Sequence, residues 1–415
     1  LDRYLVLRYA SVDAARKAQA KLAKGDPSVL SASYNTTGVP SAYTPNDAYY
    51  ASTGSGMPLA QYQWGLQAMN FPAAWNLVLG HAPIGVFELG WPGNPPPVGT
   101  PLIVVPHPDL QKNNRPHFMP WRPAITRRDI ARNVHATHVG GIISAESNNA
   151  QTNGGVTGAC INCSVSYFPY GNNSLFGTSN IDGTQASSVQ ALVAMYDNGV
   201  PTVNWSGNTG IAGVNCNNYP SVTPLCDALE LLAAHEVLIV EAADNYMLPV
   251  ANQNSPLNLA NIYPILPVAG TQSLSHDRWV YDAANGSNHA GPFGVAAPAK
   301  NIVSTVNAGQ ELGILPFQKC GDTTDSDESG IRFSPGGYGD GVGTCTGTSM
   351  SAPFVSALVG LVRSVNPLLT ANQTRSIIQQ SGHLATSPTA ELGYGVPNAL
   401  TAVNAAMATN PRRLT

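Results

Sequence analysis

Gly347-Thr348-Ser349-Met350-Ser351-Ala352-Pro353 runs directly into the apolar stretch Phe354-Val355-Ser356-Ala357-Leu358-Val359-Gly360-Leu361-Val362. A turn of small residues here delivers a serine to the start of a buried helix. Free backbone N–H groups and the positive end of the helix dipole at that point can support developing negative charge. An acyl-transfer nucleophile needs such a position. Gly-Thr-Ser alone would equally suit a Ser/Thr N-cap on a core helix, so the reading depends on partners elsewhere in the chain.

A nucleophilic serine requires a base, and the base requires a group to orient it. The close-spaced histidine pair lies in Asn133-Val134-His135-Ala136-Thr137-His138-Val139-Gly140-Gly141-Ile142-Ile143. Glycines and alanine let this segment approach another element closely. On a helix His135 and His138 share a face, so a metal pair is the rival reading, but the spacing is not that of a zincin helix and no third ligand is evident. Upstream, Ile84-Gly85-Val86-Phe87-Glu88-Leu89-Gly90 is a short apolar run ending in one acid and a glycine turn. A charge at the end of a buried strand is costly unless paired. An acid turned out to solvent at a strand end is the alternative.

Taken together, these strings resemble the subtilisin-like serine proteases, the subtilases. Gly-Thr-Ser-Met-x-Ala-Pro is similar to their nucleophile motif. The segment around His135 is similar to His-Gly-Thr-His-Val-Ala-Gly, with Ala136 in place of a glycine and His138 as a structural neighbour. The place of Val-Ile-Asp-Thr-Gly is taken by a segment with Glu88 for the aspartate and Leu89 for the threonine. His107-Pro108-Asp109-Leu110 follows, as a similar string does in many subtilases, and the order carboxylate, His, Ser is that of subtilisin. The resemblance implies Ser349 as nucleophile, His135 as general base and Glu88 as its orienting acid. Glutamate extends the carboxylate by on the order of 1.5 Å, and a misplacement of about 1 Å can cost roughly 100-fold in rate. Ser-His-Glu triads nevertheless work on scaffolds built for them. Sedolisins, with a Ser-Glu-Asp triad, are a second comparison, but their glutamate occupies the helix position held here by His135.

Val237-Leu238-Ile239-Val240-Glu241-Ala242-Ala243-Asp244-Asn245 resembles the subtilase segment that ends in the oxyanion asparagine, which assigns that role to Asn245; an Asn in a left-handed turn would read alike. Ala242, Ala243 and Asp244 then line the substrate cleft. Glu241 and Asp244 bring acid near the expected S1 wall, a hint of polar or basic P1 residues. Pro201-Thr202-Val203-Asn204-Trp205-Ser206-Gly207 resembles the strand that pairs with the bound substrate backbone, with Ser206 and Gly207 as binding residues. Further segments follow in family order, at 263–270, 287–292, 295–298, 302–305 and 393–399.

Composition agrees with this class. Of 415 residues, 43% are hydrophobic and 11% charged, which excludes a disordered chain, and a net charge of −4 implies no nucleic-acid or membrane-surface partner. A protein or peptide substrate and a monomeric state are expected. Six cysteines fall in three local groups, Cys160 with Cys163, Cys216 with Cys226, and Cys320 with Cys345. Fifteen pairings are open, and proximity favours three local disulfides in an oxidising, secreted or periplasmic setting. Cys160-Ile161-Asn162-Cys163 as a redox or metal pair is the alternative. The chain starts at Leu1, so a leader is expected to have preceded it.

The expected organisation is a small β-α-β piece over residues 1–42 resembling part of a subtilase propeptide, a linker over 43–62, and an α/β catalytic domain over 63–415 with a mainly parallel sheet and helices on both faces. A zymogen is the implied state. Two insertions read as surface loops: Gly90 to Asn133 (with Arg115, Arg122, Arg127, Arg128 and Arg132), with a partner site as the alternative, and Gly321 to Gly343 (with Asp322, Asp325, Asp327 and Glu328), with a calcium site as the alternative though its spacing is not that of an EF-hand. The resemblance requires no cofactor. Family members often bind calcium through the residue matching Asp109 and a loop here near Asn148 to Gly155, so calcium is an optional ligand. The expected function is secreted serine endopeptidase. The alternative is a catalytically dead subtilase-fold protein that binds peptides by strand addition.

Overall fold

Short apolar runs with no helical period become strands in the computed structural model, which describes residues 43–51, 62–88, 107–111, 114–116, 134–149, 155–170, 185–207, 216, 224–249, 256–306 and 341–409. Seven strands, β1 (Pro83–Glu88), β2 (Asn114–Pro116), β3 (Ser164–Pro169), β4 (Thr202–Trp205), β5 (Leu238–Ala242), β6 (Ile265–Thr271) and β7 (Val295–Pro298), all but the polar edge strand β2 from such runs, form one parallel sheet in the order β2-β3-β1-β4-β5-β6-β7. A second, antiparallel ribbon joins β8 (Ile302–Thr305) to β9 (Val342–Cys345). Parallel neighbours need crossover connections, and covering both faces of such a sheet selects strands that are apolar throughout. β5 and β6 are buried along their whole length.

The described helices are α1 (Ala48–Ala51), α2 (Trp64–Ala68), α3 (Phe71–Trp75), α4 (Val134–Ser144), α5 (Gln185–Asp197), α6 (Pro224–Ala234), α7 (Thr348–Val365), α8 (Ala371–Gln380) and α9 (Ala399–Ala408). Side chains alternate across each strand, and the two sets meet different helices. Ile84, Val86, Leu238 and Val240 pack with Val139, Ile142 and Ile143 of α4 and with Val355, Leu358 and Val362 of α7. Phe87, Val203, Trp205 and Ile239 pack with Leu192 and Met195 of α5 and Leu225, Leu229 and Leu232 of α6. The result is the expected three-layer α/β arrangement. Among the described helices α7 is long and apolar enough to cross a membrane, but 89% of it is buried inside the fold, as befits a core helix.

Two local findings differ from the sequence expectations. Residues 43–51, within the stretch expected as linker, dock on the domain: Tyr43 meets Trp75 edge-on at 6.2 Å between centroids, Tyr50 meets it at 5.8 Å, and the Tyr49 amide donates to the Gly155 carbonyl. Aromatic burial of this kind outweighs the turn-like composition around it. Residues 114–116, within the stretch expected as a loop, add the edge strand β2 beside β3. Cys160–Cys163 and Cys216–Cys226 are disulfides. Cys345 is also disulfide-bonded, while Cys320 lies outside the described residues. So do residues 1–42 with their expected β-α-β piece, and most of the two insertions.

Candidate active site

The chain leaves β1 toward β3 on one side of the sheet and returns to β4 on the other. A crevice opens at such a switch point beyond the carboxyl ends of the strands. Glu88 is the last residue of β1, Ser206 and Gly207 follow β4, and Asn245 follows β5. His135 lies in the first turn of α4 and Ser349 in the first turn of α7. Both helices pack on the same face of the sheet, so their N-termini converge on this crevice.

Glu88 is fully buried. His135 Nδ1 donates to Glu88 Oε1 at 2.7 Å, with the imidazole side chain 29% exposed and the carboxylate 1%. The longer glutamate therefore reaches the ring without a gap. Burial opposes the imidazolium, but the Glu88 charge and the hydrogen bond to it outweigh that, and the pKa of His135 is raised above 6.5. This bond fixes the tautomer and leaves Nε2 as the basic nitrogen. Ala136, expected to fit if the backbone allowed, is a buried helical residue without strain.

His138 is bonded elsewhere. It is buried, its Nε2 donates to the Ile302 carbonyl at 2.9 Å, and burial lowers its pKa to about 3. Ser304 Oγ and Thr305 Oγ1 donate to the carbonyls of His138 and Thr137, clamping the start of α4 onto β8. Gly141 permits this approach, since a Cβ there would lie 2.2 Å from Thr305 Oγ1.

On the opposite side, the Asn245 amide is oriented by Thr348. Asn245 Oδ1 accepts from the Thr348 N–H at 2.9 Å and from Thr348 Oγ1 at 3.0 Å. With its oxygen committed, Nδ2 is left as the donor beside the start of α7. Gly347 has φ 147°, a backbone conformation that residues with a side chain rarely adopt, so glycine is what allows the chain to enter α7 beside Asn245. Asp244 has φ 72°. Asp is among the few side chains that adopt this left-handed conformation readily, which accounts for its standing where subtilases have glycine. Ser349 Oγ donates to the Ser206 carbonyl at 2.8 Å, and no hydrogen bond joins Ser349 to His135.

The matched family model is that of the subtilase family, over residues 103–396. This chain is a subtilase. His135, Asn245 and Ser349 fall inside the matched span, whereas β1 and Glu88 precede it. The subtilase chain is 22% identical over 361 residues to an alkaline protease of Alkalihalobacillus alcalophilus, covering 86% of this chain and 73% of that protein. It is 25% identical over 288 residues to an extracellular protease of Xanthomonas campestris pv. campestris, covering 66% of this chain and 40% of that one. Among solved structures, a protease from Pseudoalteromonas arctica aligns with TM-score 0.59 at 20% identity, covering 88% of this subtilase and 100% of that chain. Fervidolysin from Fervidobacterium pennivorans, a keratinolytic enzyme related to subtilisin, aligns with TM-score 0.55 at 18% identity, covering 84% of this subtilase and 46% of that chain. The fold is subtilisin-like, and family membership together with protease relatives makes this subtilase a serine peptidase.

Other expected residues lie as follows. Ala242 and Ala243 are buried beside Asp244, and Glu241 is buried one residue further in, opposite Trp205 in the sheet register. Burial holds the Tyr170 hydroxyl well above its ordinary pKa, and the nearby charges of Glu88, Asp244 and Glu241 add to this. Asp109 is buried in the turn after His107. Its Oδ1 accepts from Asn149 Nδ2 and its Oδ2 from the Val156 N–H. Burial, with the charges of Asp47 and Glu146 nearby, raises its pKa to about 6. Among the described residues no three His, Cys, Asp or Glu side chains gather as a metal site. Of the loop expected to share such a site, residues 150–154 lie outside the described residues. Sequence reading missed Thr348 as the anchor of Asn245, a bond spanning 103 residues of chain; its place beside the serine was the available signal.

Proposed function

We propose that this subtilase is a secreted serine endopeptidase that cleaves peptide bonds through an acyl-enzyme, with Ser349, His135 and Glu88 as its triad. The supporting observation is the 2.7 Å bond between His135 Nδ1 and a fully buried Glu88. An extracellular relative and an oxidised set of cysteines support secretion.

In this reading the substrate backbone adds beside Ser206 and Gly207, and its N–H takes the Ser206 carbonyl now occupied by the Ser349 hydroxyl. Rotation about the Ser349 side chain then presents Oγ to His135 Nε2. Oγ attacks the scissile carbonyl as Nε2 takes its proton, and Glu88 stabilises the imidazolium without accepting a proton itself. The carbonyl oxygen becomes an oxyanion between Asn245 Nδ2 and the Ser349 N–H. His135 returns the proton to the leaving amine. Water then repeats the sequence on the acyl-enzyme and frees Ser349. Ala242, Ala243 and Asp244 form the other wall of the cleft, with Glu241 and Asp244 favouring a basic P1 side chain.

A fluorophosphonate probe followed by intact mass measurement tests the assignment. One adduct on the protein and none on Ser349→Ala is the expected result. Absence of an adduct, even after removal of residues before Tyr43, would favour the peptide-binding alternative; an adduct appearing only after that removal would identify a zymogen.

A further inference from the structure

Asn204 is a buried amide within β4, a strand otherwise built of Thr, Val and Trp. Its Nδ2 donates to Ser206 Oγ at 2.9 Å, and its Oδ1 accepts from Ser356 Oγ at 2.9 Å. All three side chains are buried. Ser356 belongs to α7, the helix that carries Ser349. Seven residues separate the two, which is two helical turns, about 10 Å along the axis and on one face. Ser349 reaches the Ser206 carbonyl directly. Helix α7 therefore holds the end of β4 at two points, once at the Ser206 carbonyl and once through Asn204 at the Ser206 side chain.

An apolar side chain at position 204 would fill this layer without burying an amide, and a buried polar chain is justified only when its members are satisfied. This chain runs in one direction, from the Ser356 hydroxyl to the Asn204 carbonyl oxygen, and from the Asn204 NH2 to Ser206. It ends on the residue whose carbonyl faces the nucleophile. We propose that Ser356 and Asn204 are positioning residues, which fix the Ser206 carbonyl for pairing with the substrate backbone at a set distance from Ser349. The proposal rests on the peptidase reading and on the role given there to Ser206. A small probe that makes no strand pairing does not need this alignment; an extended peptide does.

The test uses the full chain and an isosteric pair at position 356, Ser356→Thr, which keeps the hydroxyl, and Ser356→Val, which removes it at similar volume. Kinetics on an extended peptide anilide are compared with the rate of labelling by a small fluorophosphonate, and thermal melting checks folding. For Ser356→Val, KM is expected to rise about tenfold relative to Ser356→Thr, while kcat and the labelling rate stay within about twofold. Equal KM values for the two folded variants would overturn the proposal, and so would a labelling rate that falls in step with peptide turnover. Failure of the unsubstituted protein to label or to cleave would instead strike the peptidase reading beneath it.

Discussion

The two walls of the crevice are held by different physics. On the β1 side a buried carboxylate and a histidine form a charge-assisted pair at 2.7 Å. On the β5 side Asn245 is held by two neutral hydrogen bonds from Thr348 at 2.9 and 3.0 Å. The first of these bonded pairs titrates and the second does not. Perturbations of the first should change the pH profile as well as the rate, and perturbations of the second should change the rate alone.

The largest effect is expected at Glu88. Glu88→Gln keeps the shape but allows the wrong imidazole tautomer, and kcat should fall by roughly 10³–10⁴. The sign of the pH effect follows from the raised pKa of His135. If His135 is the base it acts as neutral imidazole, so activity should be lost as pH falls through that raised pKa, and the acid limb of kcat/KM in the native protein should lie on the high side of the ordinary histidine range. Removing the Glu88 charge lowers the pKa, and the limb should move to lower pH. An acid limb that stays in place in Glu88→Gln would break the contrast between the walls.

Next comes the oxyanion side. Asn245→Ala should reduce kcat by roughly 10²–10³ with KM little changed, because the donor acts on charge that develops only in the transition state. Its residual activity should follow the native pH profile. Thr348→Val removes one of the two bonds that orient the amide and retains the other, from the backbone. About a tenfold loss in kcat is expected, again without movement of the acid limb. A Thr348→Val loss as large as that of Asn245→Ala would mean the side chain does more than aim the amide.

The same contrast marks what was legible in the sequence. The sheet could be read because strands buried on both faces must be apolar throughout, and few other elements are so short and so apolar. The groups at the crevice could be read because each stands at the end of such a run or at the head of a helix. Contacts that join distant segments left no local trace. Thr348 with Asn245, and Ser356 with Asn204 across 152 residues, are visible only once the layers are stacked. The docking of residues 43–51 was masked by turn-like residues around Tyr43, Tyr49 and Tyr50, and the edge strand β2 by its proline and arginine. Asp109 stood in the expected turn, but its partners proved to be N–H groups, which its position in the chain does not disclose.

The smallest predicted effect concerns which peptides enter. Asp244 is half-buried in a left-handed turn, close enough to add to the field at Tyr170, and Glu241 lies buried on the adjoining strand. Asp244→Asn is a clean probe, since asparagine also adopts positive φ, and the turn that carries Asn245 should keep its shape. The charge alone is removed. The ratio of kcat/KM for P1 Arg over P1 Phe should fall roughly threefold at low ionic strength and less in high salt, because a partly exposed charge is screened. Glu241, sheltered from ions, should then account for whatever preference survives salt. If P1 Phe is favoured throughout and neither the substitution nor salt alters the ratio, the acids serve the packing of this wall and not the choice of substrate.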